Sequence, residues 1–241
     1  MKLSASFNLS LLLACLTVTA CDRPETSKAK AAPDFRAEPR PEAALALYRK
    51  AECADAALAS PKAGQSFDYL LLASDGKPDR SMARRQTLRA VSGDLVDYSE
   101  ALIPVGKDSF PPEPRQVRMG ILPTTILGGS VRYEGAAAAM EGLRPGTSAE
   151  IPITETRAGS PPKPAVATLT FVGCGLSEPI VVGAANEPVR VFHVKLPYST
   201  SEKPGEFTRM IDTEFLVSQS RGWPIAERTP SGTLVLVANA E

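Results

Sequence analysis

Apolar and polar residues alternate in short segments along the last part of the chain. Six of these segments are predicted as strands, at residues 149–156, 165–172, 179–183, 189–197, 208–218 and 233–238. The connections between them are short and rich in Pro, Gly and Ser. Closely spaced strands with few helical segments between them are typical of a sandwich, a barrel or a curved sheet. The pattern therefore predicts a mainly β fold with antiparallel strands.

The β pattern begins earlier, near Gln65. Residues 67–73, 84–91 and 95–102 are predicted as strands, and Gly93-Asp94 supplies a tight turn between the last two. Residues 131–140 are ambiguous, because the alanines at 136–139 favour a helix while Tyr133 favours a strand.

One helix is predicted before the strands, at residues 42–60. Its apolar stripe recurs at i, i+4, i+7 and i+11, and alanine, the strongest helix former, dominates the segment. Pro41 suits the opening turn and Pro61 ends the helix. We expect this helix to pack on the sheet. The stripe consists of Leu47, Ala51, Ala54 and Leu58.

The first residues have the layout of an export signal. Lys2 precedes an uncharged run at residues 3–20, which ends in Val18-Thr19-Ala20-Cys21. This tetrapeptide resembles the bacterial lipobox. The resemblance implies that residues 1–20 are removed and that Cys21 receives fatty acyl chains such as palmitate.

Two alternatives concern the same segment. Leu12-Leu13-Ala14-Cys15 also resembles a lipobox, but cleavage there would leave an apolar remnant on the mature chain. An uncleaved anchor helix is the other alternative, because the uncharged run is at the lower limit of what spans a bilayer. Cys21 is the preferred site.

Residues 22–41 are predicted to be a disordered tether, since they contain several prolines and few apolar side chains. Residues 42–241 then form one periplasmic domain held to a membrane by lipid. Each buried methylene contributes about 0.8 kcal/mol, so two or three acyl chains hold the protein firmly. Asp22, directly after the lipidated cysteine, slightly favours the inner membrane.

The overall charge excludes one class of partner. The chain has 241 residues, of which 43% are hydrophobic, and 27 basic residues balance 27 acidic ones. Nucleic acids are bound mainly through clustered Lys and Arg. We therefore expect no nucleic-acid partner.

Four cysteines are present, and two remain if Cys15 leaves with the signal and Cys21 is acylated. An oxidising periplasm favours a disulfide between the remaining pair, Cys53 and Cys174. Two buried free thiols are the alternative.

The body of the chain weakly resembles the curved half-barrel sheets of periplasmic lipoproteins and lipoprotein carriers. The resemblance rests on Leu143-Arg144-Pro145-Gly146, on Gly173 and Glu178, and on Phe215-Leu216-Val217-Ser218 followed by Gly222-Trp223-Pro224-Ile225. It implies a curved antiparallel sheet or half-barrel, here with one N-terminal helix packed on it.

Catalytic and metal-binding motifs are not evident in the sequence. His193 is the only histidine, and neither Ser130 nor Ser148 completes the Gly-x-Ser-x-Gly motif of a nucleophile elbow. We expect a non-catalytic protein without metal or cofactor. Trp223, Phe192 and Val194 are candidate ligand contacts, because apolar side chains on one strand face could line a pocket.

Three functions are compatible with the sequence. The first is an envelope lipoprotein whose concave sheet binds an apolar envelope molecule or lipid, which requires a dry cavity. The second is a structural or accessory module that docks on another envelope protein, which requires a filled core and an exposed apolar patch. The third, an enzyme, requires a cleft where polar groups converge.

Overall fold

A single sheet accounts for most of the described chain. The computed structural model describes residues 46–54, 57–72, 78–104, 110–126, 128–199 and 209–240. Within these residues there are fourteen strands and one short α-helix, α1 (Ala136–Gly142). The strands are β1 (Tyr48–Ala51), β2 (Ser66–Leu72), β3 (Pro78–Ser92), β4 (Leu95–Pro104), β5 (Glu113–Arg118), β6 (Leu122–Pro123), β7 (Thr125–Ile126), β8 (Gly129–Tyr133), β9 (Thr147–Arg157), β10 (Lys163–Ser177), β11 (Pro188–Tyr198), β12 (Arg209–Ser218), β13 (Pro224–Thr229) and β14 (Gly232–Ala240).

Neighbouring strands pair antiparallel in the order β6-β5-β4-β3-β2-β14-β13-β12-β11-β10-β9-β8-β7, with β1 added to β10. Most neighbours are consecutive in the chain, so the sheet is largely a meander. Two pairings join strands that are distant in the chain. One is that of β1 with β10, and the other is that of β14 with β2, which brings the two ends of the chain together. The predicted mainly β, curved antiparallel sheet is confirmed.

The sheet curves until its two terminal strands meet at one seam. Thr124 lies between them: its amide donates to the carbonyl of Gln116 at 3.0 Å, and its carbonyl accepts from the amide of Val131 at 2.8 Å. The hydroxyl of Tyr133 also donates to the carbonyl of Pro123 at 2.8 Å. A few hydrogen bonds therefore close the seam where a regular ladder is missing.

The alternation of residues along each strand separates an inner from an outer face. In the pairing of β10 with β11, Leu169 faces Val194 on the inner face, and Thr168 faces Lys195 on the outer face. The inner side chains of β8 to β12 form one apolar core, because burial removes their surface from water. Its members include Val131, Ile151, Ile153, Leu169, Phe171, Phe192, Val194, Leu196, Phe215 and Val217.

The predicted helix at residues 42–60 is wrong. Residues 42–45 lie outside the described part of the chain, and Tyr48–Ala51 forms strand β1, which pairs with residues 174–177 of β10. The neighbouring strand β9 pairs with β10 only as far as Phe171, so the end of β10 has unpaired backbone groups. Pairing these groups outweighs the helix propensity of alanine, because short helices are marginal without packing.

Two other segments also differ from or refine the predictions. The ambiguous segment divides into β8, which contains Tyr133, and α1, which begins at Ala136. The segment predicted as a strand at 179–183 contains instead a turn and a 3₁₀ helix at Val182–Ala184.

The signal at residues 1–20, the lipidation site Cys21 and the tether to residue 41 all lie outside the described residues. In the part of the chain that is described, no helix has the length and apolar character needed to cross a bilayer.

Candidate functional site

A disulfide fixes the N-terminal strand to the sheet. Cys53 and Cys174 are bonded as predicted, with their Cα atoms 5.0 Å apart. The register places Ala51 opposite Cys174, so the bridge directly follows β1. Gly175 permits this pairing, because a Cβ atom at that position would lie 2.5 Å from the carbonyl oxygen of Arg49. The bridge therefore clamps a strand and not the predicted helix.

The chain after the bridge lies against the turn between β12 and β13. The amide of Ala59 donates to the carbonyl of Gln219 at 2.9 Å. Gly222 has φ +63°, and a Cβ atom there would lie 1.8 Å from the carbonyl oxygen of Ala59. Only glycine fits this contact, because it tolerates positive φ and has no side chain.

The three candidate ligand-contact residues are all in the interior. Phe192 is 2% exposed, Val194 0% and Trp223 1%. Phe192 stacks on Phe171 with ring centroids 5.1 Å apart. A side chain that lines a ligand cavity must be open to solvent or ligand, and these three side chains are enclosed by protein atoms. In this structure they are packed core residues, and their role as ligand contacts remains a prediction.

Trp223 is buried and not at the sheet rim. Its indole N–H donates to Oε1 of Gln86 at 3.1 Å, which satisfies the one donor of the ring. The ring lies edge-on to Tyr98, with centroids 5.6 Å apart, and stacks near Phe67 at 6.1 Å. Trp223 thus links the turn before β13 to β2, β3 and β4.

A charged cluster occupies the inner face of β3, β4 and β13. Nη1 of Arg84 lies 3.4 Å from Oε2 of Glu100 and 3.6 Å from Oε2 of Glu227. Nε2 of Gln86 donates to Oε2 of Glu100 at 3.2 Å, so the cluster continues to Trp223 through one amide. A single guanidinium therefore lies between two carboxylates and can balance the charge of only one of them.

The carboxylate of Glu227 is perturbed by this setting. Desolvation raises the pKa of Glu227, the guanidinium of Arg84 lowers it, and the neighbouring charge of Glu100 raises it again, for a net increase. Burial also raises the pKa of the Tyr69 hydroxyl well above its ordinary value. That hydroxyl donates to the carbonyl of Pro224 at 2.8 Å. The cluster favours protonation of one carboxylate, and it is not organised around a nucleophile.

His193 lies on the outer face of β11, in the same phase as Lys195. Its Nε2 is hydrogen-bonded to Asp212 of the neighbouring strand β12, and Glu214 is directly opposite it in the register. A cross-strand contact of this kind supports sheet pairing. Among the residues that the structure describes, no three His, Cys, Asp or Glu side chains converge as a metal site.

Four apolar residues interrupt the polar outer face in one line, which we call the outer apolar row. Pro152 is opposite Val166 on β9 and β10, and Pro197 is opposite Met210 on β11 and β12. The ladder between β10 and β11 ends at Thr168 opposite Lys195, and Val166 and Pro197 each lie two residues beyond that pair. Val166 is 49% exposed and Met210 51%.

The residues beside the outer apolar row are polar. One register step away, Glu150 is opposite Thr168, Thr168 is opposite Lys195, and Lys195 is opposite Asp212. An apolar line with a polar rim is the arrangement expected of a contact surface.

The sequence analysis missed the outer apolar row. Its signal was present strand by strand, as an apolar residue in the polar phase of the alternation at positions 152, 166, 197 and 210. Only the register between strands shows that these positions align.

The comparisons with known proteins give one similarity. The chain matches no protein-family model and no curated protein. It is similar to a crystal structure from Bacteroides fragilis NCTC 9343, of a protein thought to be exported and having a YmcC-like fold. The identity is 10%, the match covers 77% of this chain and 100% of that chain, and the TM-score is 0.43. A similarity at this level carries no functional argument.

Proposed function

We propose that this protein is a membrane-anchored lipoprotein of a bacterial envelope, whose β domain is a non-catalytic module that docks on another envelope protein. The anchor is the acylated Cys21 of the lipobox, facing the periplasm. Asp22 slightly favours the inner membrane. The disulfide between Cys53 and Cys174 is in keeping with an oxidising compartment.

One observation carries the docking role: the inner face of β8 to β12 is packed with buried side chains, while apolar side chains are exposed on the outer face of the same strands. Leu169, Val194 and Leu196 are each 0% exposed on the inner face, whereas Val166 and Met210 are about half exposed on the outer face. A carrier of apolar molecules needs the reverse arrangement, with an accessible apolar interior. The filled interior therefore favours the docking module over the binding of a lipid or other apolar molecule.

Metabolic labelling tests the anchor. Cells expressing the full chain are supplied with radiolabelled palmitate, and we expect label in the protein and recovery in the membrane fraction. Cys21→Ser should lose both, because removing the acyl chains removes the hydrophobic free energy of attachment. Cys15→Ser is the matched control and should keep both.

Native mass spectrometry of the protein released from its host membrane tests the docking role. We expect a mass that corresponds to the chain and its acyl groups, with a second protein in the complex at low detergent. A stoichiometric apolar small molecule that stays bound to the chain would contradict the docking module and favour a carrier.

A further inference from the structure

We propose that an open groove on the outer face of β3, β4 and β5 binds a small zwitterion, such as a free amino acid, through the guanidinium of Arg89 and the carboxylate of Asp97. The groove has a volume of about 710 Å³, and its lining also includes Ser99, Pro112 and Pro114. Ligand sites in proteins commonly have volumes of about 300–1,000 Å³. Such a site is separate from the outer apolar row on β9 to β12, and it goes beyond the docking role.

The strand register places this lining on the outer face. Glu100 is on the inner face of β4, so Ser99 and Asp97 point to the outer face. On β5, Pro114 is opposite Ser99. Gln116 is opposite Asp97 on the same strand. The groove therefore crosses β3, β4 and β5 on the side that faces away from the ionic cluster.

A β-bulge directs Arg89 into the groove. The pairing of β3 with β4 shifts by one residue between Leu88 and Ala90, so Arg89 is the extra residue of the bulge. A bulge re-aims the side chain of its extra residue, and bulges are common beside functional sites. Nε of Arg89 donates to Oγ of Ser99 at 3.1 Å. The bulge and the hydroxyl together fix the position of the guanidinium.

The outer edge of the Arg89 guanidinium is available to a ligand. Among the residues that the structure describes, only Ser99 accepts a hydrogen bond from Arg89, and none forms an ion pair with it. Its Nη1 and Nη2 donors are therefore open to the groove. The other guanidinium of the lining, that of Arg115, is already paired with Glu113 at 2.6 Å. A guanidinium edge binds a carboxylate through two parallel hydrogen bonds.

Asp97 supplies the opposite charge. Its Oδ1 accepts a hydrogen bond from Nε2 of Gln116 at 2.7 Å, and Oε1 of Gln116 accepts one from the hydroxyl of Thr124 at 3.0 Å. These contacts hold the carboxylate in place, while no donor to its Oδ2 is found in the described chain. A purely anionic ligand would be repelled by Asp97. A ligand with an ammonium group beside its carboxylate can pair with both Asp97 and Arg89.

Two prolines form an apolar wall of the groove. Pro112 and Pro114 are both exposed. Their rings are rigid, so they lose little conformational entropy when a ligand covers them. A zwitterion with an apolar side chain is therefore better suited to the groove than one with a second charge.

Fluorine NMR of three related probes tests the site on the full-length protein in detergent. para-Fluorophenylalanine has both charges, its amide lacks the carboxylate, and para-fluorohydrocinnamate lacks the ammonium group. We expect saturable broadening of the para-fluorophenylalanine signal. Each analogue should bind roughly tenfold more weakly, because it loses one charge-assisted contact. Detergent without protein is the blank.

Substitutions assign each charge to its residue. Arg89→Gln should weaken the binding of para-fluorophenylalanine about tenfold and should not weaken that of its amide. Asp97→Asn should weaken the binding of para-fluorophenylalanine and should not weaken that of para-fluorohydrocinnamate. Arg85→Gln is the matched control, because Arg85 is on the same face of β3 and pairs with Asp68 at 2.7 Å. It should bind all three probes as the parent does. Thermal unfolding checks that each variant is folded.

Three results would overturn the site. The first is equal broadening of all three probes, which indicates contact with detergent or apolar surface alone. The second is binding of para-fluorophenylalanine that survives both Arg89→Gln and Asp97→Asn, or no saturable binding to the parent. The third is tighter binding of para-fluorohydrocinnamate than of the zwitterion, which contradicts the role of Asp97. None of these results affects the lipid anchor or the docking role, which have their own tests.

Discussion

The interior of the sheet has two differently built regions. The first, on β8 to β12, is mainly apolar and includes Ile151, Leu169 and Val194, each 0% exposed, with the buried side chains of Glu155 and Thr213 as polar members. The second, on β3, β4 and β13, contains the ionic cluster of Arg84, Glu100 and Glu227 beside apolar side chains. We call them the apolar region and the ionic region.

The comparison shows that different contributions to the free energy of folding stabilise the two regions. Stability of the apolar region follows from buried area and packing, which do not change with pH. The ionic region is held by charges that must remain paired, since an isolated buried charge is costly. The side chain of Glu227 is 17% exposed, so this region also keeps contact with water. pH should therefore act on one region and volume changes on the other.

The largest expected effect is a cavity in the apolar region. Leu169→Ala should lower the free energy of unfolding by about 2–5 kcal/mol, because the surrounding side chains collapse only partly into the space. Urea unfolding followed by circular dichroism measures the change. Val166→Ala on the same strand is the control and should cost far less, since Val166 is half exposed. Equal costs would show that the core is not closely packed.

Removal of the disulfide between Cys53 and Cys174 has the second-largest expected effect. The double variant Cys53→Ser, Cys174→Ser should lose about 2–4 kcal/mol, because the bridge restricts the unfolded chain over a long loop. Unfolding without reductant measures the loss. The parent protein under reductant is the control and should match the variant. A variant as stable as the oxidised parent would contradict a stabilising bridge.

A smaller effect is expected from the ionic region, whose contribution to stability should depend on pH. The folded-state pKa of Glu227 is raised, so the folded protein holds the proton more tightly than the unfolded chain. Stability should fall as pH rises from the ordinary glutamate value of about 4.3 to the raised value, and then level off.

Glu227→Gln removes this contribution. The free energy of unfolding of the variant should not decrease across that pH window. At neutral pH the variant should be at least as stable as the parent. Denaturant midpoints from pH 4 to 8 provide the measurement. Glu113→Gln, at an exposed position on β5, is the control. Its stability should decrease with rising pH as that of the parent does. A variant that is less stable than the parent at neutral pH would show that the ion pair with Arg84 outweighs desolvation.

The smallest expected effect is at His193. His193→Ala removes one outer-face contact with Asp212 and should change stability by less than about 1 kcal/mol. Loss of the biological activity of the protein in this folded variant would favour the enzymatic interpretation.

The sequence predicted the strands better than their arrangement. The segments predicted at 189–197 and 208–218 correspond closely to β11 and β12, because local alternation reports which side of a strand is buried. The inward phase of Phe192 and Val194 followed from the same alternation. Burial by itself did not distinguish a packed core from a cavity wall, because both present apolar residues on one face.

The errors came from contacts between distant parts of the chain. The alanines of residues 42–60 favour a helix locally, but the unpaired end of β10 recruits Tyr48–Ala51 as a strand. The ionic region joins Arg84 to Glu227, which are far apart in sequence. The outer apolar row likewise depends on the pairing of four strands. None of these can be inferred from a local window, because each depends on tertiary pairing.

The bridge at Cys53 has a mechanical consequence. If Cys21 carries the proposed lipid anchor, tension enters the domain from the N-terminal side, and β1 is the first strand of the described chain to bear it. Its few hydrogen bonds can separate under force, but two residues after Ala51 the pull reaches a covalent bond to β10. Such tension would stop at residue 53 and be passed into β10. An envelope protein held between a bilayer and a partner can in this way bear strain without unravelling.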